Sequence, residues 1–255
     1  MKSIRSARSG AAIALVAASL LGCGEPPRED RWSGAEPQTL PARLSETGLF
    51  ERTAEHLTPR GGIAYALAHP LFPDYAHKFR TVHVPMDAKA RAIDASRTLA
   101  FPVGTHITKT FYYPSAAGAV QLTAAPAFAG PAEALNTRGM RLIETRVLRR
   151  TSAGWEAVSY LWDENGQDAR KARAGALLEL ASSDGESFDY LVPDVNQCGG
   201  CHATDHGSGV LAPIGPKPGN LAAVRHGTTS QYDDWAARGL VEPSDAGFRP
   251  WPVGG

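Results

Sequence analysis

The residues of this chain that are best suited to chemistry lie close together near its C-terminal end. Cys198 and Cys201 are separated by two residues, and His202 follows directly. Two thiols at this spacing can add to the two vinyl groups of a haem, and the adjacent histidine can then bind the iron as its proximal ligand. The pattern predicts one covalently attached haem c, with Cys198 and Cys201 as thioether sites and His202 as the metal ligand.

Other uses of the same residues predict different surroundings. A redox-active disulfide between Cys198 and Cys201 normally follows a βαβ pattern, and none precedes the motif. A zinc site that added His202 and His206 would crowd four ligands into positions 198–206, whereas zinc fingers separate their ligand pairs by about a dozen residues. A chance match is the third alternative. Haem attachment is the interpretation that we favour.

The distal iron ligand is left open by the sequence. His206 lies four residues after His202, so on a continuing helix it would approach the same side of the haem. His226, 24 residues downstream of His202, has enough chain to reach the opposite side, and Met140, 62 residues upstream, could reach it from a separate element. Met86, another residue or an open site completes the alternatives.

The N-terminus carries the pattern of an export signal. Lys2, Arg5 and Arg8 precede an apolar run over 11–21, which is too short to span a membrane as a helix. The run ends in Leu-Leu-Gly before Cys23, and this resembles the bacterial lipobox, in which the cysteine becomes a lipid-modified N-terminus. An ordinary secretory signal that leaves Cys23 free is the alternative. Because c-type haem is attached outside the cytoplasm in bacteria, the two motifs support each other.

Composition excludes several function classes. The chain has 255 residues, 43% of them apolar, and it balances 26 Lys+Arg against 26 Asp+Glu. Removal of residues 1–22 leaves 26 − 3 = 23 basic against 26 acidic residues, so a nucleic-acid partner is not expected. No nucleophile elbow, phosphate-binding glycine loop or zinc-protease motif is present. The scattered upstream histidines are expected to be surface or packing residues: His56, His69, His77, His83 and His106.

The periodicity predicts an α+β protein. Residues 1–22 are the signal peptide, 23–43 a lipid-anchored linker, 44–192 a mainly-β N-terminal domain, and 193–255 a short helical and looped segment that binds the haem. Strands are predicted over 78–85, 105–113 with a stop at Pro114, and 188–192, together with a hairpin of 141–151 and 155–163. Helices are predicted over 44–57 with Ser45 as N-cap, over 168–180, and over 231–238 between Ser230 and Gly239.

Several further segments carry a family resemblance. They are residues 44–50, 70–80, 101–105, 109–113, 144–146, 154–155, 160–162 and 214–217, together with the haem motif at 198–202. With these segments the chain resembles, from about residue 44 to 242, a poorly characterised family of bacterial exported c-type cytochromes. The resemblance implies a haem protein with a β-rich N-terminal domain. Members are often described as di-haem proteins, whereas this chain has a single Cys-x-x-Cys-His.

The sequence therefore predicts an exported mono-haem c-type cytochrome that transfers electrons to or from a redox partner protein. Two alternatives belong to other classes: a haem-dependent enzyme, such as a peroxidase or the haem subunit of a periplasmic oxidoreductase, and a haem-based sensor or interaction module. The membrane is a further partner through the lipid on Cys23. Because Gly24 rather than Asp follows this cysteine, we expect the protein on the periplasmic side of the outer membrane.

Lipidation of Cys23 predicts how the protein fractionates. The parent should sediment with membranes, and Cys23→Ser should be released to the soluble fraction because one acyl-bearing terminus is the only expected anchor. Immunoblots of separated membrane and soluble fractions measure this. A Cys23→Ser protein that stays with the membranes as fully as the parent contradicts the lipid anchor.

Overall fold

The computed structural model describes residues 32–34, 39–71, 75–123, 133–194, 211–244 and 247–252. The predicted signal, Cys23, the haem motif at Cys198, Cys201 and His202, and His206 lie outside these residues. Most of the predicted β-rich domain is described, and so are Met140 and His226. The structure therefore tests the scaffold around the haem motif.

Most of the described regular structure is β. A 3-10 helix (Ser45–Thr47) comes first, and the strands and helices follow as β1 (Phe50–Arg52), β2 (His56–Pro59), β3 (Ile63–Tyr65), β4 (His77–His83), β5 (His106–Ala116), β6 (Ala119–Val120), β7 (Leu135–Asn136), β8 (Met140–Thr151), β9 (Gly154–Trp162), β10 (Ala169–Lys171), β11 (Ala176–Ala181), β12 (Ser187–Val192), α1 (Pro218–Ala223), β13 (Arg225–His226), β14 (Thr229–Ser230) and α2 (Gln231–Ala237). The mainly-β character with two C-terminal helices agrees with the predicted class.

One antiparallel sheet organises the described chain. Its strands run in the order β10-β9-β8-β5-β4-β3, and β6 adds to β5 outside this path. The predicted hairpin is confirmed as β8 and β9, in which Thr151 pairs with Gly154 across a two-residue turn. A register shift between Phe111 and Tyr112 leaves Ile143 without an opposite residue, so β5 and β8 are joined through a β-bulge.

The two faces of this sheet bury different clusters. One face packs against the N-terminal segment, where Leu44, Leu49 and Leu57 meet Tyr160 and Trp162; we call this the N-terminal cluster. The other face holds two separate clusters. The helix cluster joins sheet residues to α1 and α2, and it includes Val82, Ile107, Leu148, Leu221 and Trp235. The hairpin cluster joins the sheet to β11 and β12, and it includes Phe111, Tyr113, Ile143, Leu180 and Tyr190.

The predicted C-terminal helix is confirmed as α2. The Ser230 side chain accepts a hydrogen bond from the Asp233 backbone N–H at 3.1 Å, which caps the first turn. Gly239 follows the helix with a φ of 72°, a left-handed conformation that glycine adopts easily. Trp235 on this helix is fully buried and meets Tyr65 of β3 edge to face. Within the described ranges, no helix has the length and apolar character needed to cross a membrane.

Two predicted helices are wrong. Residues 44–57 form the 3-10 helix followed by β1 and β2, because Gly48 turns the chain with a φ of 71° and the next residues pair as strands. Residues 168–180 form β10 and most of β11. The apolar spacing there fits both periods, but Leu178 and Leu180 face the hairpin cluster while Leu177 is 63% exposed, which is the alternation of a strand.

Pro114 does not end its strand as predicted. β5 continues through Pro114, opposite Met140, to Ala116, and its last residues pair with β6. Pro114 still contributes a backbone carbonyl, which accepts a hydrogen bond from Gln121 N at 2.8 Å. The missing N–H of proline is tolerated here because this position lies near the end of the β5 and β8 pairing.

Packing of the C-terminal helices predicts a measurable stability difference between two leucines. Leu221 of α1 is fully buried in the helix cluster, whereas Leu177 of β11 is 63% exposed. Leu221→Ala should lower the free energy of unfolding by about 2–5 kcal/mol, since it removes buried methyl groups and leaves a cavity. Leu177→Ala should change it by about 0.5 kcal/mol or less. Denaturant unfolding followed by tryptophan fluorescence measures both, and equal losses would contradict the packing.

Candidate functional site

The described residues on the two sides of the haem motif pack at opposite ends of one sheet face. Val192, the last residue of β12, belongs to the hairpin cluster. His202 lies ten residues after Val192 and nine before Leu211, where the described chain resumes. Leu211 leads into α1, whose Leu221 belongs to the helix cluster. The sheet surface between the two clusters therefore lies between the described flanks of the motif.

A row of cationic side chains crosses this surface. Arg80 of β4 pairs with Lys109 of β5, Lys109 pairs with Arg146 of β8, and Arg146 pairs with Ser159 of β9. Directly paired residues of antiparallel strands project from the same face, so these side chains share one line across the sheet. We call Arg80, Lys109 and Arg146 the cationic row. Along β5, the row lies between Ile107 of the helix cluster and Phe111 of the hairpin cluster.

The aromatic ring of Phe111 lies beside this row and contacts three cations. The Arg146 guanidinium carbon is 4.5 Å from the ring centroid, and the ammonium nitrogens of Lys78 and Lys109 are 5.6 and 5.7 Å from it. The face of an aromatic ring attracts cations, and the attraction strengthens where water is excluded. The Phe111 ring therefore stabilises three neighbouring cations but contributes no negative charge that would neutralise them.

Glu144 is a carboxylate on this surface, and both of its oxygens already accept hydrogen bonds. It is fully buried, its Oε2 accepts from Arg146 Nε at 3.0 Å, and its Oε1 accepts from Arg146 Nη2 at 2.5 Å. The Tyr190 hydroxyl of β12 donates to Oε1 at 2.9 Å. Burial and the adjacent Glu144 charge raise the pKa of Tyr190, so the phenol keeps its proton for this bond. Glu144 compensates one charge, that of Arg146.

The two other members of the row have no such partner. Arg80 is 8% exposed, and neither the Arg80 nor the Lys109 side chain makes a hydrogen bond or ion pair with any residue in the described part of the chain. The pKa of Lys109 is lowered to about 7. Burial is the largest cause, repulsion from Arg80, Arg146 and Lys78 adds to it, and attraction to Glu144 opposes it. Burial also lowers the pKa of Arg80, although an arginine stays charged at neutral pH.

This arrangement has two chemical capacities. Arg80, which is buried, and Arg146, whose side chain is 26% exposed, hold fixed positive charge, which favours an anionic group placed against them. Lys109, with a pKa of about 7, can accept or release a proton near neutral pH. Metal binding by the described residues alone is not supported, because they hold no group of three or more His, Cys, Asp or Glu side chains suited to a metal ion.

The two predicted distal ligands lie far apart. His226 is in β13, on the hairpin that joins α1 to α2, and its Nε2 atom is buried. Met140 is the first residue of β8, opposite Pro114. Eight residues of extended strand separate Met140 from Leu148 of the helix cluster, or about 26 Å at 3.3 Å per residue. The structure places the two candidates towards opposite ends of the sheet, so they are alternatives rather than members of one site.

The upstream histidines are packing or surface residues, as predicted. His56 and His69 are exposed, whereas His77, His83 and His106 are buried. His83 hydrogen-bonds to Thr81 and to the Arg60 carbonyl, and His106 lies within hydrogen-bond distance of the Gly104 carbonyl. Burial lowers the pKa of His83 to about 3 and that of His106 to about 4, so both rings are neutral.

Sequence reasoning missed Arg80, Lys109, Glu144 and Arg146 as site residues. A signal for them is present, because they are charged residues at alternate positions of strands that are otherwise apolar, aromatic or β-branched. On a half-exposed sheet such positions face water. Only the pairing register shows that these positions face the same way as two buried clusters.

Comparison with known proteins leaves the site to be interpreted from its own residues. No family model, no curated protein and no solved structure matches this chain.

The low pKa of Lys109 predicts a pH-dependent stability. Between about pH 7 and 9 the folded lysine loses its proton while the unfolded lysine, with a pKa near 10.4, keeps it. The unfolded state then binds more protons, so the free energy of unfolding rises with pH, by up to about 1.4 kcal/mol per pH unit for one proton. Lys109→Met should remove this rise.

Urea unfolding at a series of pH values from 7 to 9 measures the effect. The charged groups that face Lys109 are Arg80, Arg146, Lys78 and Glu144. Lys89→Met is the matched control, because Lys89 is exposed and should leave the slope unchanged. Equal slopes in the parent and in Lys109→Met would contradict the perturbed pKa.

Proposed function

We propose that this chain is an exported mono-haem c-type cytochrome that transfers electrons. The observation that carries the proposal is the Cys198-x-x-Cys201-His202 motif in a chain whose N-terminal residues have the pattern of an export signal. The donor set fits haem c: two thiols for the two thioether bonds and one imidazole for the iron. When bound, the haem supplies a one-electron iron couple, and the protein positions it and tunes its potential.

The scaffold supports this proposal by holding both sides of the motif against one sheet face. On the upstream side, Tyr190 and Val192 are buried in the hairpin cluster. On the downstream side, Thr98 Oγ1 donates to the Pro213 carbonyl at 2.5 Å, and Leu99 N donates to the Pro216 carbonyl at 3.2 Å. Both described flanks of the motif are therefore anchored on the folded domain.

His202 is the proposed proximal ligand, and His226 and Met140 are the two leading alternatives for the sixth position, with Met86, another residue or an open site as the others. His226 would supply a second imidazole from the hairpin between α1 and α2. Met140 would supply a thioether from the other end of the sheet, which raises the potential relative to a second imidazole. Their separation means that one of them at most serves as the ligand.

The proposed cellular setting follows from the N-terminus. A lipid on Cys23 would hold the protein on the periplasmic side of the outer membrane, and the linker would be shorter than the predicted 23–43, because Trp32 and Leu40 already pack in the N-terminal cluster. A redox partner protein would then meet the haem domain at the membrane surface.

A second function, haem-dependent catalysis, is favoured by one observation. The sheet face between the two flanks carries Lys109, whose pKa is about 7, beside the buried Glu144 and its Tyr190 partner. A carrier of electrons needs no group that exchanges protons near neutral pH, whereas peroxidase-type and other oxidoreductase reactions do. An enzyme of this kind also needs an iron position that is open or easily displaced.

Covalent haem is the direct test of the proposed function. Parent protein matured in a host that attaches c-type haem should keep its haem on a denaturing gel and gain the mass of one haem. Cys198→Ser should weaken haem retention, because one of the two thioether bonds is removed. Cys23→Ser is the matched control, since the same substitution outside the motif should leave the haem attached. A colourless parent protein, or haem that acid acetone extracts, would overturn the proposal.

The same holoprotein separates the electron carrier from the enzyme. A carrier with both axial positions filled should show a six-coordinate low-spin spectrum and should bind carbon monoxide or cyanide slowly or not at all. Rapid binding of either ligand would favour the catalytic alternative.

A further inference from the structure

Among the described residues, the face between the helix cluster and the hairpin cluster carries more positive than negative charge. Lys78, Arg80, Lys109 and Arg146 supply four cationic groups, and Glu144 supplies one carboxylate, which is bound to Arg146. Removing a charge from water without a partner is costly, and proteins normally compensate buried charges with counter-charges. The described residues compensate Arg146 and leave Arg80 and Lys109 without a counter-charge.

Ser159 provides an independent observation at the end of the same row. It pairs with Arg146, so its side chain projects from the same face. The residue is 1% exposed, and its hydroxyl oxygen has no hydrogen-bond partner among the described residues. Buried hydroxyls are almost always hydrogen-bonded, and a serine can donate one bond to an anion. An unused donor therefore lies in the same row as Arg80 and Lys109, directly beside Arg146.

We propose that Arg80, Lys109, Arg146 and Ser159 form a binding site for a carboxylate or a small oxyanion. Adjacent strands lie about 4.8 Å apart, so Arg80 and Arg146 start about 10 Å apart on either side of Lys109. Long arginine side chains at this separation can converge on one anionic group, and a guanidinium offers paired N–H donors that match two oxygens. The Glu144 and Tyr190 contacts hold Arg146 in place for this role.

The anionic group has two possible sources that share this chemistry. One source is a propionate carboxylate of the haem on this chain, and that source rests on the proposed function. The other is a free oxyanion or carboxylate that enters from solution, and it does not depend on haem. Either source would place two negative oxygens against cations that the described residues leave uncompensated.

Titration of the Lys109 ammonium group by nitrogen-15 NMR tests the site, using reduced protein labelled at lysine. An anion in the row stabilises the charged form of Lys109, so its pKa rises. If a haem carboxylate fills the row, the pKa in phosphate-free buffer should already lie well above 7. If the site takes free anions, the pKa should be near 7 and should rise as inorganic phosphate replaces chloride at constant ionic strength. A pKa near 7 that phosphate does not move would overturn the proposal.

A stability measurement with variants assigns the effect to the row. For a site open to free anions, the unfolding midpoint of the parent should rise with phosphate, because a ligand that binds only the folded state stabilises it. Arg80→Gln and Lys109→Met should weaken apparent phosphate binding by about tenfold or more, since each removes a charged contact. Lys89→Met, which alters an exposed lysine, should retain the parent response. An equal phosphate response in all four proteins would contradict this site.

Failure of this proposal and failure of the proposed function give different results. A protein that lacks covalent haem but shows a phosphate-dependent pKa for Lys109 keeps the anion site and loses the cytochrome. A protein that stains for haem but shows an unmoved pKa near 7 keeps the cytochrome and loses the anion site.

Discussion

The pairing of β5 with β8 is the interaction on which the rest of the described structure depends. These are the two longest strands, and they occupy the centre of the sheet. Their register places Ile107 beside Leu148, Lys109 beside Arg146, and Phe111 beside Glu144 on one face. Thr110 and Thr145 face the other way, where their hydroxyls hydrogen-bond at 2.8 Å. A shift of one residue in this register would move the charged side chains of one strand to the opposite face.

On this face, burial disfavours the charged forms of Arg80 and Lys109. Lys and Arg are seldom buried without partners, because the cost of removing their charge from water exceeds what packing returns. Here two apolar clusters lie on either side of the cationic row and limit its contact with water. The lowered pKa of Lys109 is the direct consequence. Uncompensated charge of this kind is characteristic of sites that receive a ligand or move a proton.

The sheet and the C-terminal segment form one structural unit in the described chain. α1 and α2 are short, and neither would be stable as an isolated helix in water. They are stable because Leu221 and Trp235 pack into the helix cluster against residues of β3, β4, β5 and β8. The proposed haem motif therefore lies in sequence between two segments that pack against the same face of one sheet.

The sequence by itself determined the local features whose cause is local. The structure confirms the hairpin of β8 and β9 and the Ser230 cap of α2, which depend on residues close together in the chain. The proposed haem motif and the proposed lipobox at Cys23 depend on neighbouring residues in the same way. Motif chemistry and turn geometry act over a few residues, so spacing alone was enough to predict the hairpin and the cap, and it remains the basis of the haem and lipid predictions.

Tertiary structure decided what depends on partners distant in sequence. Residues 168–180 have apolar spacing that suits a helix or a strand, and pairing of β11 with β12 selected the strand. Within residues 44–57, β1 pairs with β2 and β2 pairs with β7, and this pairing selected strands over the predicted helix. The cationic row joins positions 80, 109, 146 and 159, which no spacing rule relates. Only strand register brings them together, because it sets at once which residues are neighbours and which face they share.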